Sequence, residues 1–170
     1  MGALRPFCFM RTKKIALCGI LAACYAALTL ATASFSYGPV QVRAAEALCL
    51  LCAISPGLRW GVTLGCLLAN VCSPVSALDL LIGTAATFLG CTAVSRMRRP
   101  VLLPLPVIGI NAVLVGAELA LFCGEGAFWP EFFVCAAQVA AGEAAALYLI
   151  GLPLYLLLLR SPAADRLRRM

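Results

Sequence analysis

The chain has 170 residues, of which 64% are hydrophobic and 12% charged, and its mean hydropathy is +1.02. A soluble domain of this size carries about twice that share of charged residues. The composition therefore excludes an ordinary soluble protein and indicates a chain that lies in lipid. The net charge of +6 does not indicate nucleic-acid binding, because the basic residues cluster where predicted helices leave the membrane.

Charged residues, glycines and prolines divide the chain into six apolar segments. The second and third are short, since a helix needs about 20 residues to cross a bilayer. Together they form either two spans or one re-entrant hairpin, which would leave four full spans. In chain order the segments cover residues 15–34, 44–54, 60–72, 77–94, 101–123 and 132–159.

The basic residues favour six spans with both termini in the cytoplasm. In that arrangement 12 of the 13 Lys and Arg residues are cytoplasmic, and Arg43 alone is outside. We therefore predict an all-α integral membrane protein with one six-helix transmembrane domain. Residues 1–14 form a cytoplasmic tail, 15–159 the membrane domain and 160–170 a basic cytoplasmic tail. A cleaved signal peptide is disfavoured, because the first apolar stretch exceeds the usual core of about 7 to 15 residues.

The ten cysteines are scattered through apolar segments, and the chain has no histidine. Buried thiols pack as small hydrophobic groups, so we expect neither a metal site nor a cofactor. Cys49 and Cys52 have the CxxC spacing of dithiol oxidoreductases, but they lie among leucines without a nearby base. Walker A, GxSxG and HExxH motifs are absent from the sequence. We therefore expect no enzyme, with a thiol oxidoreductase as the alternative.

Several polar residues interrupt the apolar segments, where an ionisable group costs several kcal/mol and usually faces a cavity or a partner. Asn111 and Glu118 are seven residues apart, so they share a helix face. Arg43 and Glu46 are three apart, so Arg43 either pairs with Glu46 or faces the ligand. The simple interpretation is that such groups hold the bundle together. As a set they favour a polar cavity for a cationic or donor-rich ligand. The set comprises Glu46, Glu118, Glu143, Asn70, Asn111, Gln138, Arg43 and Asp79.

Two further stretches are informative. The connector 35–43 contains Gly-Pro, which prevents a helix, and Tyr37, whose ring either stacks on a flat ligand or belongs to an interfacial aromatic belt. The first segment carries small residues at four-residue spacing, which allow close helix approach in lipid. These residues are Gly19, Ala23 and Ala27, with Ala22 and Ala26 beside them.

Seven stretches of the sequence, in which polar and apolar residues match together, have the pattern of a known family. They are SYGPVQVRAAEAL (36–48), GCLLAN (65–70), LDLLIGTAAT (78–87), residues 105–112, VGAEL (115–119), Gly142-Glu143 and GLPL (151–154). With these stretches the chain resembles the QueT family, the substrate-binding (S) components of energy-coupling factor (ECF) transporters. The resemblance covers nearly the whole chain, and it departs from the family pattern at residues 52–55, before Pro56.

This resemblance implies a six-helix S component that binds a queuosine precursor, a 7-deazaguanine such as preQ0, preQ1 or queuine. It also implies docking, through the small residues of the first helix, on a coupling transmembrane protein with two ATP-hydrolysing subunits. ATP would then be used by these partners. The alternatives are an S component for another small nutrient and a membrane scaffold without transport.

The chemistry of a deazaguanine suggests roles for the candidate residues. One carboxylate accepts adjacent N–H donors of the ring edge, for which Glu118 or Glu143 is the candidate. Asn111 or Gln138 is the candidate for the ring carbonyl. Glu46 would then serve as the partner of an amine or of a lid, and Tyr37 would stack on the ring. Arg43 and Asn70 complete the predicted substrate-binding set.

Overall fold

The computed structural model describes residues 5–32, 42–72, 78–122 and 126–168, with side chains from residue 12 onward. Within these ranges every element is helical. The α-helices are α1 (Arg5–Ala31), α2 (Arg59–Asn70), α3 (Asp79–Val94), α4 (Pro104–Phe122), α5 (Phe128–Ala145), α6 (Leu152–Arg160) and α7 (Pro162–Arg168). Three 3₁₀ helices cover Ala44–Ala53, Pro56–Leu58 and Pro100–Leu102, and a π-helical stretch covers Ala146–Gly151.

Three helical stretches are long and apolar enough to cross a membrane: Thr12–Ala31, Pro100–Phe122 and Phe128–Arg160. Large apolar side chains such as Phe133, Leu149 and Leu157 are exposed on the outside of the bundle. An exterior of this kind suits lipid and not water. The predicted all-helical membrane fold is therefore confirmed at this level. The shorter segments Ala44–Ala53, Arg59–Asn70 and Asp79–Val94 leave the six-span count a prediction.

The α-helices from α1 to α5 each pack against the next one along the chain. Small residues allow α1 and α2 to approach closely, because a Cβ atom built at Gly65 would lie 2.7 Å from the Ala22 carbonyl oxygen. The same construction at Gly61 gives 2.6 Å to the Cys18 carbonyl oxygen. Close approach through small residues is how helices pack tightly in lipid.

The second apolar segment has nearly the predicted bounds but forms a 3₁₀ helix over all of Ala44–Ala53, in the middle of the bundle. It contacts α1, α3, α6 and the π-helical stretch. Ten residues extend about 20 Å as a 3₁₀ helix and about 15 Å as an α-helix. The 3₁₀ geometry thus carries a short segment farther across the bundle. Runs of this length are uncommon and depend on surrounding contacts.

The last predicted segment is one continuous helical stretch that includes the π-helical turn Ala146–Gly151. Pro153 follows this turn and lacks an amide donor, so the regular α-helical hydrogen bonds are interrupted there. The turn places Gly151 against the 3₁₀ helix, where a Cβ atom would lie 3.1 Å from Ala47 Cα. Both predicted tails contain helix, since α1 begins at Arg5 and α7 covers Pro162–Arg168.

Candidate functional site

The buried polar residues inside the bundle include most of the predicted candidates. Each of them is at most 4% exposed, which is unusual for charged and amide side chains unless they are paired or functional. The predicted residues in this group are Arg43, Glu46, Asn70, Asp79, Asn111, Glu118 and Glu143.

Glu46 is the centre of a hydrogen-bond network that joins three elements. Its Oε1 accepts from the Tyr25 hydroxyl of α1 and from Thr87 Oγ1 of α3, the latter at 3.2 Å. Its Oε2 accepts from Cys49 Sγ at 2.8 Å. Glu46 itself is fully buried. The sequence pattern identified Glu46 but missed Tyr25 and Thr87, because a single tyrosine or threonine in an apolar helix is common.

The 3₁₀ geometry explains the contact between Glu46 and Cys49. With three residues per turn, side chains at positions i and i+3 eclipse each other, so Glu46, Cys49 and Cys52 form one row. Cys91 of α3 lies within hydrogen-bonding range of both cysteines of this row. All three thiols are buried and free. The 3₁₀ spacing therefore places the two thiols of the CxxC pair beside Cys91 inside the protein, with Cys49 next to the Glu46 carboxylate.

Arg43 forms an ion pair with Asp79, in which Nη2 lies 3.5 Å from Oδ2 and both side chains are buried. One alternative from the sequence was that Arg43 pairs with Glu46, as residues three apart do on an α-helix. Arg43 instead precedes the 3₁₀ helix in an extended conformation, with φ −91° and ψ 91°, so helical spacing does not apply to it. This ion pair joins the start of the 3₁₀ helix to the first turn of α3.

Asn70 connects the end of α2 to the same region. Its Nδ2 donates to the Asp79 carbonyl oxygen at 3.0 Å and to Cys66 Sγ at 3.5 Å. Its Oδ1 is buried and accepts no hydrogen bond from the described residues. Gly83 makes room for this side chain, since a Cβ atom there would lie 2.6 Å from Asn70 Nδ2. Asn70 thus presents an open acceptor beside the Arg43–Asp79 pair.

Glu143 of α5 and Asn111 of α4 face each other. The Asn111 side chain lies within hydrogen-bonding range of Glu143, and both Glu46 and Arg43 are close enough to interact with Glu143 electrostatically. The structure therefore brings four predicted residues together in one cluster. Glu118 is buried on α4, two turns after Asn111.

For two other predicted residues the structure shows no place among the buried polar side chains. Tyr37 lies outside the described residues. Gln138 is half-buried on α5, and five residues separate it from Glu143. Five residues rotate an α-helix by about 500°, so the two side chains point about 140° apart. Among the described residues, Gln138 forms no hydrogen bond with the cluster.

The small residues of α1 divide between two faces. Gly19, Ala23 and Ala27 are exposed along one side, and Ala26 is half-buried. Ala22 is 3% exposed and packs against Gly65 of α2. A groove of about 610 Å³ runs beside Gly19 and is bounded by α1 and α2. The exposed face therefore consists of Gly19, Ala23 and Ala27.

A comparison with protein families matches one family model, described as the QueT transporter, over residues 15–160. This range includes the buried polar cluster and both faces of α1. Neither a search of curated proteins nor a search of solved structures finds a match. Within the described ranges, no group of three Cys, Asp or Glu side chains is arranged to hold a metal ion.

Proposed function

Because this chain belongs to the QueT transporter family, whose members are substrate-binding (S) components, we propose that it is the substrate-binding subunit of an ECF transporter for a queuosine precursor. The substrate would be a 7-deazaguanine, namely preQ0, preQ1 or queuine. The observation that carries the proposal is the buried cluster of Glu46, Glu143, Asn111 and Arg43. Buried ionisable groups of this kind normally mark a ligand site in a membrane protein.

The chemistry of the cluster fits a purine-like ring. Such a ring presents adjacent N–H donors, which a carboxylate accepts, and a carbonyl oxygen, which an amide nitrogen or a guanidinium recognises. In our proposal Glu118 or Glu143 accepts from the ring edge, and Asn111 donates to the carbonyl. Asn70 Oδ1 adds an acceptor without a protein partner among the described residues. Tyr37 and Gln138 remain proposed contacts.

The energy for uptake would come from partner subunits. We propose that a coupling transmembrane protein with two ATP-binding subunits docks on the exposed small residues of α1, which are Gly19, Ala23 and Ala27. Small residues let another helix approach closely in lipid. We further propose six spans in the cytoplasmic membrane with both termini cytoplasmic. In that orientation 12 of the 13 basic residues lie on the cytoplasmic side.

The first experiment measures thermal unfolding of the purified protein in detergent with preQ0, preQ1, queuine, guanine and a panel of vitamins. A ligand that binds only the folded protein stabilises it by about 2.7 kcal/mol at a hundredfold excess over Kd. Stabilisation by deazaguanines alone supports the proposal. Stabilisation by a vitamin indicates another nutrient. A folded protein that responds to none of these compounds contradicts the proposed substrate class and favours a scaffold.

Two variants on the same helix sharpen this experiment. Glu143→Gln removes a carboxylate from the cluster and should strongly weaken the response to preQ1. Glu131→Gln removes a carboxylate from the first turn of α5, far along the helix from the cluster, and should leave the response unchanged. Equal responses of the two variants would remove Glu143 from the proposed site.

A further inference from the structure

The buried cluster, together with the Asp79 that pairs with its Arg43, contains more acidic groups than basic ones. Glu46, Asp79 and Glu143 contribute three carboxylates, and Arg43 contributes the one guanidinium, which already pairs with Asp79 at 3.5 Å. If all four are ionised, they carry a net charge of −2. The other basic residues between positions 15 and 159 are Arg59, Arg96, Arg98 and Arg99, and Arg43 is the basic group that interacts with Glu143 in the described part of the chain. An uncompensated buried charge of this kind is strongly unfavourable.

The two glutamates differ in how their oxygen atoms are used. Glu46 already accepts hydrogen bonds from Tyr25, Thr87 and Cys49, and a carboxylate accepts about four in all. Glu143 has one oxygen, Oε2, that is buried and accepts no hydrogen bond from the described residues. Glu143 also interacts electrostatically with Glu46. The open position therefore belongs to Glu143, next to a second negative charge.

From this arrangement we propose that the position beside Glu143 and Glu46 holds a protonated amine of the substrate, so that the protein prefers amine-bearing 7-deazaguanines to neutral ones. An ammonium group donates three hydrogen bonds and lowers the local negative charge by one. The nitrile of preQ0 has no proton to donate, and its nitrogen lone pair would face a carboxylate. The preferred substrates are thus preQ1 and related compounds with an amine at the same ring position. This inference rests on the proposed function and deepens it, because it assigns Glu143 to the amine and leaves Glu118 as the carboxylate for the ring edge.

The test compares preQ1 with preQ0 on the purified full-length protein, by isothermal titration calorimetry at neutral pH. These two compounds share the ring and differ in the aminomethyl and nitrile substituents. The wild-type protein should bind preQ1 at least about tenfold more tightly, since a tenfold ratio corresponds to only about 1.4 kcal/mol. Equal affinity for preQ0 and preQ1 overturns the inference and leaves the proposed function standing. Binding of neither compound overturns both.

Glu143→Gln tests which residue provides the preference, with Glu131→Gln as the control. The substitution keeps the size of the side chain and removes its charge, so preQ1 affinity should fall about tenfold or more while preQ0 affinity changes little. The control should retain the wild-type ratio. Equal loss of affinity for both compounds in Glu143→Gln would overturn the assignment of the amine to this residue. The ratio of preQ1 affinity to preQ0 affinity in the wild-type protein tests the preference for a charged amine even if the variant does not fold.

Discussion

The contact between α4 and α5 predicts that alanine at two glycines of α4 changes the stability of the protein in opposite directions. These helices pack along most of their length. A Cβ atom built at Gly116 would lie 2.8 Å from Ala136 Cα and 3.0 Å from Ala136 Cβ, whereas ordinary contacts begin at 3.4 Å. Alanine at this position therefore requires the two backbones to separate locally by about 0.6 Å, the difference between 3.4 and 2.8 Å. Backbone atoms on the partner helix cannot move aside as a flexible side chain can.

Gly109 of the same helix provides the matched control, because a Cβ atom built there meets nothing within 4 Å. Gly116→Ala should destabilise the protein by about 1 to 3 kcal/mol, the usual cost of overpacking a tight contact. Gly109→Ala should stabilise it by about 0.5 to 1 kcal/mol, because alanine loses less backbone entropy in a helix than glycine does. The substitution is identical in both cases, so the difference reports the α4–α5 contact alone.

The same separation should affect ligand binding. Asn111 of α4 and Glu143 of α5 lie within hydrogen-bonding range of each other across this contact, and a hydrogen bond weakens when its donor and acceptor move apart. Thermal unfolding in detergent and calorimetric titration with preQ1 measure the two effects. Gly116→Ala should lower both stability and affinity, and Gly109→Ala should lower neither. Two variants of equal stability would refute the proposed close packing at Gly116.

Two other predictions concern the network and the outer face of α1. Tyr25→Phe should cost about 1.5 to 3 kcal/mol, because the Glu46 carboxylate loses a donor. Tyr148→Phe should cost only about 0.5 to 1.5 kcal/mol, because that hydroxyl donates at 3.0 Å to the neutral carbonyl of Val101. Equal losses of thermal stability in Tyr25→Phe and Tyr148→Phe would contradict the charged role of Glu46. Gly19→Leu should leave preQ1 affinity unchanged, since Gly19 is exposed and nothing lies within 4 Å of a Cβ atom there. The same variant should abolish uptake into proteoliposomes that contain the proposed partner subunits. Normal uptake would contradict docking at this face of α1.

The sequence was sufficient to predict the helical membrane fold and to single out the acidic residues of the buried cluster. Glu46, Asn111 and Glu143 stand out because an ionisable or amide group is expensive in an apolar segment, and the structure brings them together. Tyr25 did not stand out, because a tyrosine in an apolar helix carries no comparable cost. Its role depends on a contact with Glu46, 21 residues along the chain. Periodicity within one helix does not report such a contact.

The sequence pattern did not predict the ion-pair partner of Arg43 or the 3₁₀ form of Ala44–Ala53. The pairing of Arg43 with Asp79 follows from the extended backbone at Arg43 and from the position of α3, neither of which the spacing from Glu46 indicates. The 3₁₀ form of Ala44–Ala53 arises from packing on several sides. A 3₁₀ run of this length is uncommon because its hydrogen-bond geometry is poorer than that of an α-helix, so tertiary contacts must favour it here.

This choice of helix type determines what faces Glu46. In an α-helix three residues rotate the chain by about 300°, so a side chain six positions along would point about 120° away. In a 3₁₀ helix three residues complete one turn, and Glu46, Cys49 and Cys52 therefore lie in a single row. That row gives Glu46 its thiol donor at 2.8 Å and places both thiols near Cys91 of α3. The CxxC spacing thus places both thiols in packing and hydrogen-bonding contacts inside the bundle. The same row fixes the carboxylate of Glu46 at the position where we propose that it faces the amine of the substrate.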